Sequence, residues 1–514
     1  MANNEIKKVF YGSATWVAPA GVTYITINPT YKMNSVLCDS YRTFIKSFNN
    51  SLYAFGYNVN GNLGAGYVTP ASVSSPVSVL GPGNFTRIDS NGSEIFSFGM
   101  SNTNLNYNTS SLFLYSWGGP NTSGQLGNGT VVRASTPTQV LGSMKFYDFQ
   151  AGGLTYTLAL NQKNRLYSWG NNSAGQLGVG DIIPRSSPVA VLGSLNVSQY
   201  GSAIGGNYAT SFLITTSNKL YTWGENSLGM LGLGDIVNRS SPVLVTGDWS
   251  KVLMRGSSTY GIQMDGNTYS WGYNNNGQLG IGNLTTTSTP TLVSGSLKFV
   301  DIFVCGYDST YGLTEKGKLY SWGYNNKGQL GIGNTTTKTT PTPVLGDIAF
   351  SKIFYPKISA SFTSMYGIDT QGNLYAWGDN SNGQLGVGDL VARSSPTLVL
   401  GGLKWVHLSV GGRVNATSVV GVTTSGEVYS WGTNNYGQLG VGDVVNKSYP
   451  VAILGSGGAD ILQASQFGFS GQIIKLKVTP GQSYNILFSK GVSYFYNTPI
   501  STGDLEKIEI SYFI

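Results

Sequence analysis

Residues Leu166–Asp181 read LYSWGNNSAGQLGVGD, and three features of this stretch recur along the chain at nearly constant spacing. The first is a five-residue strand signal ending in an aromatic–Gly pair. Its copies are LYAFG at 52–56, LYSWG at 114–118, LYSWG at 166–170, LYTWG at 220–224, TYSWG at 268–272, LYSWG at 319–323, LYAWG at 374–378 and VYSWG at 428–432. The aromatics are Phe55, Trp117, Trp169, Trp223, Trp271, Trp322, Trp377 and Trp431, which gives a mean period of about 54 residues. The second feature is a Leu eight residues after the aromatic, as in Leu63, Leu177, Leu231, Leu279, Leu330, Leu385 and Leu439; Leu126 lies nine after Trp117. The third is a Pro 19 residues after the aromatic, in Pro188, Pro242, Pro290, Pro341, Pro396 and Pro450. A period of this size marks a stacked or radial repeat. Constant spacing across a Gly/Asn-rich segment marks a structured loop, because a loose linker would drift in length.

One unit can be read in full around Trp169. GLTYTLAL alternates as a strand, NQKN turns, and RLYSWG is a second strand. GNNSAGQLGVGD is a compact turn segment whose glycines permit positive φ and close backbone approach. From within it, Leu177 is expected to project back into the core. SSPVAVLG predicts a short strand with Pro188 near its start, where no ladder donor is needed. MKFYDF, DWSKVL, LKFVDI, IAFSKI and LKWVHL supply a fourth strand in successive units. Four short antiparallel strands per repeat describe propeller blades. The fold class is therefore all-β, a closed β-propeller of seven to eight four-stranded blades, with the eight motif copies favouring eight.

The LYSWG-x-N-x-x-GQLG-x-G…P-x-x-V unit resembles the regulator of chromosome condensation repeat over residues 36–465. That resemblance implies a closed propeller, typically of seven blades, and a founder member that is an exchange factor for a small GTPase and binds chromatin. A photoreceptor of the family carries a Gly-Trp-Arg-His-Thr motif that is absent here. Seven of the ten Trp are therefore expected to be the repeat's core position, with Trp249 and Trp405 matching Phe146, Phe299 and Phe350.

Composition narrows the function. The chain has 514 residues, 71 of them Gly, only 10% charged, and a net charge of +7. Its densest basic spot is Lys7–Lys8, so the clustered Lys/Arg of a nucleic-acid interface is missing. No run of 18 apolar residues and no N-terminal apolar core are present, which predicts neither membrane insertion nor a signal peptide. The single His, His407, has no Cys or second His to complete a zinc set. Asp181, Asp235, Asp389 and Asp443 follow their Trp by 12 residues, but Asn283 and Asn334 fill the same place. Asx-type turns explain that exchange, and a metal site does not. Cys38 and Cys305 each precede their motif aromatic by 17 residues. Equivalent positions in distant blades cannot reach the ~5.5 Å Cα separation of a disulfide, which predicts two unbridged buried thiols. No Ser-His-Asp set, phosphate loop or paired carboxylates are readable. No catalytic residue, cofactor or metal is expected.

The flanks fall outside the repeat. VFYGSATWVAPAGVTYITI at 9–27 and IIKLKVTPGQSYNILFSKGVSYFY at 473–496 resemble the start and end of a Gly-rich β module of phage tail-fibre and other virion proteins. The expected organisation is residues 1–35 and 466–514 as two halves of a mounting module, with the propeller at 36–465. That implies a non-enzymatic virion structural protein, a tail or head appendage that is assembled in the host cytoplasm and exposed outside. Its partners would be other virion proteins through the terminal module, a host surface protein or glycan through the propeller loops, and further copies of itself in the particle. The alternative is a cellular repeat-family propeller acting as scaffold, inhibitor or exchange factor. The candidate binding residues are Tyr273, Tyr324 and Tyr436 just beyond WG, and Asn104 and Tyr107 in the insertion at 101–111; the tyrosines equally suit turn caps.

Overall fold

Four short strands form in each repeat because β-branched and aromatic residues alternate there between Gly- and Asn-rich breaks. In repeat 3 they are Phe146–Gly152, Tyr156–Asn161, Leu166–Gly170 and Arg185–Ala190, paired antiparallel in that order. The structure is a computed structural model. It describes the strands within 5–46 and 474–513 and, between 52 and 452, all but short stretches at 70–71, 83–84, 91–95, 102–112, 143, 153–154, 204–207, 307, 356–362, 414–415, 425–427, 435–438 and 440–444.

The chain is an all-β propeller of about seven four-stranded blades, with no helix among the described residues. From Ser35 to Ala452 the strands form six four-stranded sheets and one seven-stranded sheet. The larger sheet arises because Arg239–Arg255 is one 17-residue strand. Its first half pairs with Lys219–Gly224 as the last strand of repeat 4, and its second half pairs with Ser258–Gln263 as the first strand of repeat 5. Each sheet draws its strands from one continuous stretch, so among the described residues no strand shared by the first and last sheets closes the expected ring. Apart from that shared strand, backbone hydrogen bonds between neighbouring repeats run from the loops. Strands from the two chain ends also pair: Glu5–Phe10, Ile508–Phe513, Tyr24–Pro29 and Ile474–Lys477 form one sheet, and Ala14–Val17 pairs with Ser483–Ile486.

The core lies between successive sheets. Trp117, Trp169, Trp223, Trp271, Trp322, Trp377 and Trp431 have no exposed surface, and each clusters with side chains of the preceding repeat. The side chain of Phe55 lies outside the described residues. Trp322, for example, packs with Tyr260 and Ile262 of repeat 5 and with Phe299 of its own first strand. Each buried indole removes some 150–250 Å² from water. Its Nε1 donates across the junction to the backbone: Trp169 to Gln125 O at 2.9 Å, Trp223 to Gln176 O at 2.9 Å, Trp322 to Gln278 O at 2.7 Å and Trp431 to Gln384 O at 2.8 Å. Trp377 Nε1 is the exception among these seven, with no partner; the Gln329 carbonyl at that junction accepts from Tyr311 Oη at 2.5 Å. A second backbone bond spans each junction, from Gly180 N to Ser240 O at 2.7 Å and from Gly282 N to Thr339 O at 2.8 Å.

The first-strand aromatics are held by a size match that periodicity did not show. Phe299, Phe350, Trp249, Trp405 and Phe85 lie over Gly312, Gly367, Gly261, Gly421 and Gly99 of the second strand, and a Cβ on Gly312 would meet Phe299 Cδ1 at 2.6 Å. The ring then packs on the motif Trp, stacked with centroids 5.7 Å apart for Phe299–Trp322 and edge-to-face at 5.5 Å for Trp249–Trp271. Repeat 4 inverts the match: Val197 stands at the aromatic position and Leu213 at the Gly position.

Pro188 is the fourth residue of its strand. The strand begins at Arg185, and Pro188 sits in the irregular stretch between the pairs Gly170↔Arg185 and Ser168↔Val189. An edge strand with a break in its ladder tolerates the missing N–H there, and such prolines also discourage edge-to-edge pairing.

Candidate interaction surface

The loop between the third and fourth strands is wound around one buried Asn. In repeat 3, Asn172 Oδ1 accepts from Leu177 N at 3.0 Å, which turns Leu177 into the core. Its Nδ2 donates to Asp181 O at 2.9 Å and Ile183 O at 3.1 Å. Asn121, Asn226, Asn274, Asn325 and Asn380 make the same set, with Nδ2 distances of 2.9–3.2 Å. Glycines serve the winding where backbone meets ring. Gly178, at φ 68°, lies against the Trp223 indole, where a Cβ would stand 2.7 Å from Nε1.

Because the carbonyls at the loop tip point inward to Asn, the side chains there point outward. Ile182 and Ile183 are 63% and 60% exposed. Val131 and Val132, Ile236 and Val237, and Leu390 and Val391 repeat the exposed pair in repeats 2, 4 and 7. Repeat 5 keeps only Leu284, and repeat 6 has Thr335 and Thr336. The tips thus form an apolar series broken by a threonine-rich sector. Two exposed aliphatics at a constant offset past the Trp were legible in the sequence, but only the inward carbonyls show that they must face water.

Charge brackets these tips. Arg185 Nη1 donates to Ile183 O at 2.6 Å and Nη2 to Asp181 Oδ2 at 2.5 Å, while Asp181 Oδ1 accepts from Ile183 N at 2.9 Å. Arg393 and Asp389 form the same pair at 2.5 Å, and Arg239 and Asp235 form it too. The Ile183 N–H and the Arg185 guanidinium hold the Asp181 carboxyl below its ordinary range, and the Arg393 guanidinium with the Val391 N–H does so for Asp389. Asn283 Oδ1 accepts from Thr285 N at 2.9 Å and Asn334 Oδ1 from Thr336 N at 2.9 Å, so Asp and Asn close the same Asx turn. A lowered folded-state carboxyl adds stability above its unfolded value and loses it as pH falls through the folded value. Wild type should therefore lose melting temperature more steeply on acidification than D181N/D235N/D389N, and the two curves should meet once the carboxyls are protonated. Parallel curves in a pH series of thermal melts would contradict this assignment.

Tyr273 and Tyr324 occupy one position in adjacent repeats and are half-buried. Their N–H groups donate to Ser257 O at 3.0 Å and Asp308 O at 2.8 Å; Asn171 and Glu225 donate equivalently to Thr155 O at 2.9 Å and Ala209 O at 3.0 Å. The backbone role belongs to the repeat and does not need a Tyr. Tyr436, Asn104 and Tyr107 lie outside the described residues.

The first strands are tied to one another around the inner edge. Lys251 pairs with Asp301, Gln199 Nε2 donates to Val252 O at 3.0 Å, and Lys352 Nζ donates to Val406 O at 2.8 Å. Arg255, buried, donates Nε to Gly306 O at 3.3 Å and lies 5.9 Å from the Tyr355 ring centroid. Cys305 is buried beside it, and burial pushes its thiol up to about 12. The side chain of Cys38 lies outside the described residues. His407 is exposed, with its ring edge-on to Phe354 at 5.4 Å. Among the described residues no three His, Cys, Asp or Glu side chains converge as metal ligands would, and no helix is long and apolar enough to cross a membrane.

Comparison with known proteins agrees with this geometry. The model for the RCC1-like domain matches residues 106–363, and models for the regulator of chromosome condensation (RCC1) repeat match 357–384, 371–417 and 425–466. The ultraviolet-B receptor UVR8 of Arabidopsis thaliana is 29% identical over 390 residues, covering 74% of this chain and 75% of UVR8. The E3 ubiquitin-protein ligase HERC2 of Homo sapiens is 29% identical over 309 residues, 58% of this chain but 5% of HERC2. Among solved structures, human WBSCR16 aligns over 73% of this chain and 100% of its own at 20% identity and a TM-score of 0.49. Prp20p of Saccharomyces cerevisiae, described with its binding to Gsp1p and histones, aligns over 71% and 91% at 20% identity and a TM-score of 0.46. With just over half of its length matched by that one domain model, the chain belongs to the RCC1-like domain family.

Proposed function

We propose that this chain is a non-enzymatic, protein-binding propeller of eight blades, one per repeat, with repeats 4 and 5 joined through their shared strand. It engages a protein partner through the loop tips between third and fourth strands. The observation that carries this reading is the series of outward aliphatic pairs at Val131–Val132, Ile182–Ile183, Ile236–Val237 and Leu390–Val391. Isolated exposed apolar residues need no explanation, but a repeated apolar rim marks an interaction surface. The RCC1-like relatives favour protein binding over the virion reading.

The test is photo-crosslinking from a benzoylphenylalanine placed at Val132, Ile236 or Leu390, with Lys163 on the other face as control. All three loop positions should capture one common protein, and I182S/I183S should weaken that complex at least about tenfold, given 1.5–3 kcal/mol per buried aliphatic side chain. Capture from Lys163 alone, or an unaffected I182S/I183S complex, would overturn the reading.

One observation favours a second reading, a propeller mounted on a virus particle: the paired strands of the two chain ends, in segments resembling a virion module. Stoichiometric recovery of the protein in mass spectrometry of purified particles would support it, and absence from them would remove it.

A further inference from the structure

On the face opposite the apolar tips, one repeat position carries a polar group at the start of the third strand, four residues before the motif Trp. In repeats 4 to 7 that group has a partner. Lys219 Nζ pairs with Asp248 Oδ1 at 2.6 Å, and Lys318 Nζ with Asp347 Oδ1 at 2.7 Å. Asn267 Oδ1 accepts from Lys298 Nζ at 2.6 Å, and Asn373 Oδ1 from Lys404 Nζ at 2.6 Å. In repeat 3 the residue is Arg165, and its Nη1 is buried with no hydrogen-bond partner among the described residues.

The missing partner can be identified by register. Asp248 and Asp347 directly follow Gly247 and Gly346; in repeat 3 the residue after Gly193 is Ser194. Ser194 and Asp347 share a left-handed backbone, φ 49° and 48°, so repeat 3 keeps the conformation that presents the acid but not the acid itself. Leaving a buried guanidinium hydrogen unpaired is costly, more so than for a neutral donor. Arg165 and Ser194 border a cavity of about 260 Å³ whose other walls include Val191, Leu192, Leu195 and Leu213. Its walls combine these aliphatic side chains with Tyr167, and Arg165 and Ser194 supply polar groups at its border.

We propose that this cavity binds a carboxylate bearing a short aliphatic tail. The carboxylate accepts from the Arg165 guanidinium, taking the part that Asp347 plays for Lys318, and the Ser194 hydroxyl is placed to donate to its second oxygen. The tail lies among the leucines. A small free acid and the C-terminal carboxylate of a polypeptide ending in Leu or Val offer the same chemistry.

Calorimetric titration of the full chain separates these sources, using 4-methylpentanoate, 4-methylpentanamide, and a hexapeptide ending in Leu as free acid and as C-terminal amide. At least one acid should bind, and its amide at least about tenfold more weakly, because a charge-assisted hydrogen bond is lost. Binding by the small acid alone identifies a metabolite-sized ligand, and binding by the peptide acid alone a chain terminus. S194D should abolish binding with an unchanged or raised melting temperature, since it rebuilds the Lys318–Asp347 pair. R165Q should abolish binding as well and gives the reading if S194D melts early. No binding by either acid, equal binding of acid and amide, or binding that survives R165Q would overturn the proposal.

Discussion

Trp322→Ala is expected to destabilise the propeller by about 3–5 kcal/mol, the range for removing a large buried aromatic. Three losses coincide. The indole has no exposed surface, it stacks on Phe299 at 5.7 Å, and its Nε1 donates to Gln278 O at 2.7 Å across the junction with repeat 5. Trp322→Phe should cost less, because it keeps a six-membered ring in the site and forfeits the pyrrole portion of the indole and the hydrogen bond, the latter about 1 kcal/mol plus the penalty of an unmet carbonyl. The Gln278 carbonyl also accepts from Tyr260 Oη at 3.1 Å and Thr310 Oγ1 at 3.0 Å, which limits that penalty. Repeat arrays lose stability locally, so amide exchange is the informative measurement. Protection should fall first in the third and fourth strands of repeat 6 and in the repeat 5 loop at 274–285. Uniform loss of protection across all repeats, or none, would show that the Trp is not a junction anchor.

The second large effect is a size exchange within one sheet. Gly312→Leu should be strongly destabilising, because its Cβ alone would stand 2.6 Å from Phe299 Cδ1 and the rest of the side chain has no room. Phe299→Val should also destabilise, by leaving a cavity beside Trp322. The double variant recreates the Val197 and Leu213 pair that repeat 4 already uses. It should recover 1–3 kcal/mol relative to the sum of the single changes, the usual coupling of residues in contact. Additive losses in chemical denaturation would show that the aromatic–Gly match is incidental.

Much of this architecture is legible in the chain because a repeat states the same physics many times over. The motif Trp, the downstream Leu and the edge-strand Pro each recur at fixed offsets, so burial of Trp169 or Leu177 could be expected before any coordinates. The candidate surface was less legible. Tyr273 and Tyr324 attract notice as aromatics beside a loop, yet their backbone bonds are those that Asn171 and Glu225 also make. Ile182 and Ile183 read as ordinary hydrophobic residues, since apolarity gives no sign of which way a side chain points when the loop has no period. The empty partner position at Arg165 was invisible for a related reason: it is defined by a register between Gly193–Ser194 and Gly346–Asp347 that pairs residues about thirty apart in sequence.

The order of strands, the burial of the motif Trp and its downstream Leu, and the exchange of Asp for Asn at the Asx turns were determined by sequence alone, because each depends on local spacing and side-chain type. Tertiary structure decided which loop residues face water, which glycines yield to an aromatic ring, and how repeats 4 and 5 merge through one long strand. Those outcomes depend on contacts between strands and between repeats, where a carbonyl turned toward Asn172 or a ring laid over Gly312 excludes every other arrangement of the same residues.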